Sequence, residues 1–134
     1  MKNLQQAKAL LKTGYTCVIC AEETYTSNER GIKPLMEVLN SDMVTLNAVV
    51  ADKVVGKAAA FLYELMRIKG LYAVTISEPA LSVLKRAGIE VEFETLVPSI
   101  KNRAGTGRCP METAVWETEN AEKAYLILKE RVRD

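Results

Sequence analysis

The sequence predicts an α/β domain of three layers, built on a mixed sheet of about five strands that begins with an N-terminal β-hairpin. Three observations carry this expectation. Between residues 46 and 97, apolar β-prone runs alternate with helical periods over short connections, the pattern of parallel strands joined by helical crossovers. The stretch Lys53–Lys69 is apolar around most of its circumference, broken by the polar stripe Lys53, Lys57, Glu64 and Arg67, as expected of a helix packed between layers. Two short β-prone runs, Tyr15–Cys20 and Glu23–Ser27, flank Ala21-Glu22 as the arms of a hairpin.

Leu4, Ala7 and Leu11 recur at helical spacing and predict a short amphipathic helix over Lys2–Lys12, ended at Gly14. After the hairpin, Ser27-Asn28-Glu29-Arg30-Gly31 closes the second strand, and a helix follows over Lys33–Leu39 with Pro34 in its first turn, where a missing N–H does no harm. Leu46–Ala51 reads as a strand, and Asp52 stands where an N-cap belongs before the central helix. Gly56 then falls inside that helix, at a cost of about 1 kcal/mol against alanine, which points to close approach of a backbone, a ligand or a packed helix. Gly70 ends the helix, Leu71–Ile76 is a buried strand, and Ser77-Glu78-Pro79 opens a helix that runs through Ala87 to Gly88. Ile89, Val91, Phe93 and Thr95 alternate with Glu90, Glu92 and Glu94, a strand with one wet face near a sheet edge. Right-handed crossovers predict helices on both faces. The loop Ile100–Thr113 precedes a helical turn or two from Met111 and a last helix, Asn120–Val132, with the apolar stripe Ala121, Ala124, Tyr125, Leu128 and Val132.

The 134 residues fit one domain over the whole chain, with no internal repeat or linker. A formal charge of +1 supplies no field to steer a polyanion, which disfavours generic nucleic-acid binding. The absence of histidine removes Ser/His/Asp and Cys/His nucleophile pairs, histidine bases and every histidine-bearing metal site. Three cysteines without a secretory signal suit a reducing compartment, and no run is long enough to span a membrane, so the expected location is cytoplasmic.

The order of elements resembles the cytidine deaminase-like superfamily. The residues that carry the likeness are Ser77-Glu78-Pro79-Ala80-Leu81-Ser82-Val83 and Leu84-Lys85-Arg86-Ala87-Gly88-Ile89. Zinc deaminases are similar there, with Glu-Pro-Cys-x-x-Cys at a helix start and His-x-Glu opening the preceding helix. The resemblance implies a three-layer α/β/α cytidine deaminase-like fold. It also places Ala80 and Val83 where the cysteine ligands stand, and Asp52-Lys53-Val54 where His-x-Glu stands, so no metal, no other cofactor and no zinc-dependent deamination are expected. A closer likeness, over nearly the whole chain, is to a small prokaryotic family of unknown function in that superfamily; it rests on residues 29–35, 49–60, 76–81 and 102–112. Dimers or tetramers are common among such domains, and the resemblance implies a homo-oligomer.

In sheets of this kind ligands sit outside the carboxyl ends of the parallel strands. Asp52 and Lys53, Glu78, and the loop residues Asn102, Arg103, Gly105, Gly107 and Arg108 are the ligand-binding candidates there, joined by Glu112. Glycines that admit a ligand to the backbone, beside cations, suit a nucleotide or other phosphorylated small molecule. The same glycines also suit a tight structural turn, and Asp52 and Glu78 also suit simple helix starts. Arg30 and Lys33 could add cations to the pocket. Cys109, directly before Pro110, is the catalytic candidate, because an N-cap thiol beside Arg108 faces the positive helix end that favours thiolate. Its plain alternative is a small buried residue, with Glu112 completing a capping box. Cys17 and Cys20 point to opposite faces of a strand and complete no metal or redox site. A non-catalytic scaffold whose pocket is filled by side chains is the reading from a different class.

Overall fold

The structure, a computed structural model, describes residues 3–132. Lys2, part of the first predicted helix, lies outside the described residues. The elements in order are α1 (Leu4–Leu11), β1 (Cys17–Cys20), β2 (Thr24–Ser27), α2 (Lys33–Leu39), β3 (Val49–Val55), α3 (Lys57–Met66), β4 (Gly70–Ser77), α4 (Glu78–Arg86), β5 (Glu90–Val97), α5 (Pro110–Ala114) and α6 (Ala121–Arg131). The strands form one mixed sheet in the order β2-β1-β3-β4-β5. β1 runs antiparallel to both β2 and β3, while β3, β4 and β5 are mutually parallel.

Strand alternation divides the core in two. Val18 and Cys20 pack with Val49, Ala51 and Tyr72 against Ala7 and Leu11 of α1. Cys17 and Ile19 face the other way, with Val50, Leu71 and Ala73, into the layer built from α2, α3, α4 and α6. Cys17 and Cys20 therefore belong to different sides of the sheet, as the spacing predicts. The crossovers differ from expectation in one respect. The path β3-α3-β4-α4-β5 moves through the sheet in a single direction, so right-handed connections put α3 and α4 side by side on one face, and among the described residues α1 alone covers the opposite face.

Local chemistry accounts for most element ends. Asn3 and Gln6 form a capping box on α1, while Ser77 and Asn120 cap α4 and α6 by accepting from Ala80 N and Lys123 N. The central helix is the exception. Asp52 is not its N-cap: β3 runs on through Asp52 to Val55, because pairing with β4 continues to Val55↔Ile76 and the β-branched Val54 and Val55 suit it. Gly56 caps α3 instead, with an extended backbone and no side chain to accept a helix N–H. The other end stops at Arg67, in the left-handed region at φ 59°, rather than at Gly70, which opens β4. Arg67 O accepts a 2.9 Å hydrogen bond from Asn47 N, tying the turn to the approach to β3. β5 lies at the sheet edge, as expected, but it is exposed on both faces: Phe93 and Thr95, on the side expected to be covered, are exposed along with the glutamates.

Candidate functional site

Glu112 organises the end of the sheet where the parallel strands finish. The sequence offers it as a ligand-binding candidate or, in the plain alternative, as a capping-box glutamate of its own helix; the structure gives it distant partners. Its side chain is 1% exposed, and its carboxylate accepts from Lys57 N at 2.7 Å, Ser77 Oγ at 2.5 Å and Ile100 N at 2.6 Å. Lys57 is the first residue of α3 and Ser77 the N-cap of α4. The protein thus places its own carboxylate between two helix starts, where the partial positive charge of free N–H groups collects. Gly56 is small for the same reason: a Cβ there would lie 3.1 Å from Ile100 Cγ1 and 3.2 Å from Glu112 Oε2. The Lys57 ammonium, also buried, donates to Trp116 O at 2.7 Å and pairs with Glu119 at 2.9 Å.

Residues 100–109 fold back on themselves. Lys101 and Arg108 form an antiparallel bridge, Asn102 N donates to Gly107 O at 2.8 Å, and Cys109 N donates to Ile100 O at 2.7 Å. The Asn102 side chain accepts from Thr106 N, and Gly105 takes φ 71°, a conformation that favours glycine. Gly105 and Gly107 thereby serve the tight turn. Arg108 lies against the Trp116 ring, 3.7 Å from guanidinium carbon to centroid. Cys109 is the N-cap of α5, as predicted, but makes no side-chain cap bond, and α5 has only five residues to lend it a dipole.

Beside this loop a cleft of about 520 Å³ opens at the carboxyl end of β3. That volume is in the range of small-molecule sites. Its floor and inner wall include Cys17, Asp52, Ala58 and Ala59, and its other walls include Ile32 and Met111. Four cations border it: Arg30 before α2, Lys53 on β3, and Lys101 and Arg103 on the loop. At the floor, the Tyr63 hydroxyl of α3 donates to Asp52 Oδ2 at 2.6 Å and lies 3.3 Å from Cys17 Sγ. Asp52 Oδ1 accepts from Val54 N at 3.2 Å. Burial raises the Asp52 carboxyl from its ordinary 3.8 to about 6, against the opposing pull of the Tyr63, Val54 and Lys53 hydrogen bonds. Burial, and then the neighbouring Asp52, push the Tyr63 phenol and the Cys17 thiol well above their ordinary ranges. Both therefore keep their protons at neutral pH, and the chain runs from thiol to phenol to carboxylate.

Of the candidates read from sequence, Asp52, Lys53, Asn102, Arg103, Cys109 and Glu112 line this cleft. Glu78 is exposed at the start of α4, beyond Glu112, and Gly105, Gly107 and Arg108 belong to the turn and its stack on Trp116; none of these four lines the cleft. Arg30 joins the cleft and Lys33 does not line it. The Tyr63–Cys17 partnership and Lys101 were not singled out from sequence. Tyr63 had a readable signal, since a hydroxyl in the middle of an otherwise apolar helix must find a partner when buried.

A family model described as TM1506, domain of unknown function (DUF1893), matches residues 5–132. The crystal structure of a DUF1893 family protein (TM1506) from Thermotoga maritima is similar, with a TM-score of 0.87 and 27% sequence identity over 98% of this chain and 91% of that one. No curated protein matches the chain.

Proposed function

The chain belongs to the DUF1893 family, a domain family of unknown function, and we propose that it is a metal-free, deaminase-like domain that binds a nucleotide or other phosphorylated small molecule in the cleft beside β3. The observation that carries this reading is the cleft itself: four cations, Arg30, Lys53, Lys101 and Arg103, border a volume of about 520 Å³ whose interior is largely apolar. Convergent cations around an apolar site suit a ligand with an anionic end and a less polar body. The sheet order, with an antiparallel β1 beside three parallel strands, supports the deaminase-like part of the reading. So does the position of Glu112, between the helix starts that would flank a deaminase zinc. The residues there do not suit that metal. Ala80 and Val83 are buried apolar side chains, and α3 opens with Lys57-Ala58-Ala59, without histidine or glutamate. No group of three metal-ligating side chains is assembled among the described residues.

Glu112 fills the space between the helix starts while the neighbouring cleft stays open, which favours a ligand site over a scaffold with a filled pocket. A homo-oligomeric, cytoplasmic protein belongs to the same proposal, supported on the second point by cysteines that form no disulfide among the described residues. Among the described residues no helix is long and apolar enough to cross a membrane. Thermal-shift screening against nucleotides and sugar phosphates tests the binding. Stabilisation is expected, and Arg30→Ala combined with Arg103→Ala should weaken it at least about tenfold, the cost of two charged contacts. Stabilisation that ignores both substitutions, or none at saturating ligand, removes the reading.

A second reading, Cys109 as nucleophile of the cleft, rests on its place in the wall. It requires iodoacetamide to modify Cys109 faster than an exposed peptide thiol at about pH 7, and bound nucleotide to protect it. Slow, ligand-independent alkylation leaves Cys109 as a packing residue.

A further inference from the structure

The cleft has two chemically distinct ends. Its border carries cations; its floor carries Asp52, a buried residue that lines the cleft and whose carboxylate already holds the Tyr63 phenol. A phosphate has no reason to approach that carboxylate, whereas a hydroxyl or amino group does. Asp52 Oδ1 accepts from Val54 N at 3.2 Å, Oδ2 accepts from Tyr63, and Lys53 N–H also bears on the carboxylate; with about four acceptor directions, capacity remains for a ligand. We infer that Asp52 is the inner anchor of the cleft, its ionised carboxylate accepting a hydrogen bond from a hydroxyl or amino donor on the uncharged end of a phosphorylated ligand, whose anionic end stays at the cationic border. The inference rests on the reading of the cleft as a phosphorylated-ligand site and adds the ligand's orientation and its coupling to a proton. Tyr63 and Cys17 act as positioning residues: the phenol steers Oδ2, and the thiol holds the phenol.

The Tyr63 phenol from α3 donates to Asp52, and the Cys17 thiol, opposite Asp52 in the register of β1 and β3, contacts that phenol. The other titratable or charged groups around the cleft are Glu29 and Arg30 before α2, Lys53 on β3, and Lys101, Arg103, Cys109 and Glu112 beyond them. A proton on Asp52 removes the acceptor that the donor end needs. With the carboxyl titrating at about 6, affinity should fall about tenfold between about pH 7.5 and about pH 5.

The probe must not titrate in that window, because a phosphate monoester loses its second proton near pH 6. Calorimetry with the methyl phosphodiester of ribose 5-phosphate meets this condition, and dimethyl phosphate serves as the same anion without the hydroxyl end. The ribose diester should bind with the tenfold fall and a midpoint near pH 6. Asp52→Asn should flatten the profile, while any part played by Glu29 or Glu112 would survive that change. Tyr63→Phe should move the midpoint upward, because the lost phenol bond is one that favours the ionised carboxylate. Dimethyl phosphate should bind more weakly, with a flat profile. A ribose diester that binds without pH dependence, or with a dependence retained in Asp52→Asn, overturns the inference and leaves the cleft reading standing. Failure of both phosphodiesters and of the screened sugar phosphates to bind overturns both.

Discussion

Replacing Glu112 by alanine should lower stability by at least about 3 kcal/mol, since each of three donors left without its acceptor costs about 1–3 kcal/mol, seen as a fall in the urea midpoint. The carboxylate is shared by Lys57 N, Ser77 Oγ and Ile100 N, and the first two lie 55 and 35 residues away in sequence. Its loss leaves donors buried without acceptors at the starts of α3 and α4 and releases the loop at Ile100. Glutamine separates these effects. Oε2 takes both Lys57 N and Ser77 Oγ, while Oε1 takes Ile100 N alone. In Glu112→Gln the amide oxygen best serves the two donors, and its NH2 then meets the Ile100 N–H, donor against donor. The expected result is a smaller loss of about 1–3 kcal/mol, with amide exchange accelerated at residues 100–109 and little changed at the start of α3. Equal acceleration at both places would mean that the carboxylate is not divided as its geometry implies.

Glu112 also shows where sequence reading stops. The strand-helix alternation, the edge character of β5, the hairpin and the helix opening at Ser77 depend on neighbours a few residues apart, and they are legible; the caps at Asn3 and Asn120 fall where the sequence reading runs the helices themselves. The start of α3 is not legible. Asp52-Lys53 satisfies the local rule for a helix N-cap, but pairing with β4 through Val55↔Ile76 keeps those residues extended, and the helix begins four residues later, at Lys57. Gly56 looked costly in a helix interior; as an N-cap under Glu112 and Ile100 it relieves crowding. The loop 100–113 was legible as a cleft wall and illegible in detail. Which of its cations reach the cleft depends on the Lys101↔Arg108 bridge, which sends Arg108 to Trp116 and keeps Lys101 and Arg103 at the cleft. From sequence, the acid at the floor is a ligand candidate because it reads as a helix start. It remains a candidate because it ends a buried chain with Tyr63 and Cys17.

Asp52→Asn should make the protein more stable at pH 8, by up to about 3 kcal/mol, and should change little near pH 4. The sign follows from linkage. Burial raises the carboxyl to about 6 in the folded chain from its ordinary 3.8, so folding favours the protonated form. The stability this contributes is fully present below about 3.8 and is lost as pH rises through about 6; the interval between the two values converts to the figure above. Asparagine carries no charge to desolvate and can keep both contacts. Its oxygen can accept from Val54 N, and its NH2 can donate to the Tyr63 oxygen once that hydroxyl turns to donate to Cys17 Sγ. Urea unfolding of the two proteins at several pH values measures the difference. Wild-type stability should fall between pH 4 and pH 7 by an amount that the variant does not share, opposite to the trend set by ordinary salt-bridged carboxylates. A variant destabilised equally at both ends of the range would mean that the ionised carboxylate contributes to the fold and is not held at a cost. If the predicted difference is found, the same substitution that stabilises the chain is the one expected to erase the pH dependence of ligand binding. A buried charge that opposes folding, kept on the floor of an open cleft among hydrogen bonds that favour its ionised form, is then accounted for by what it binds.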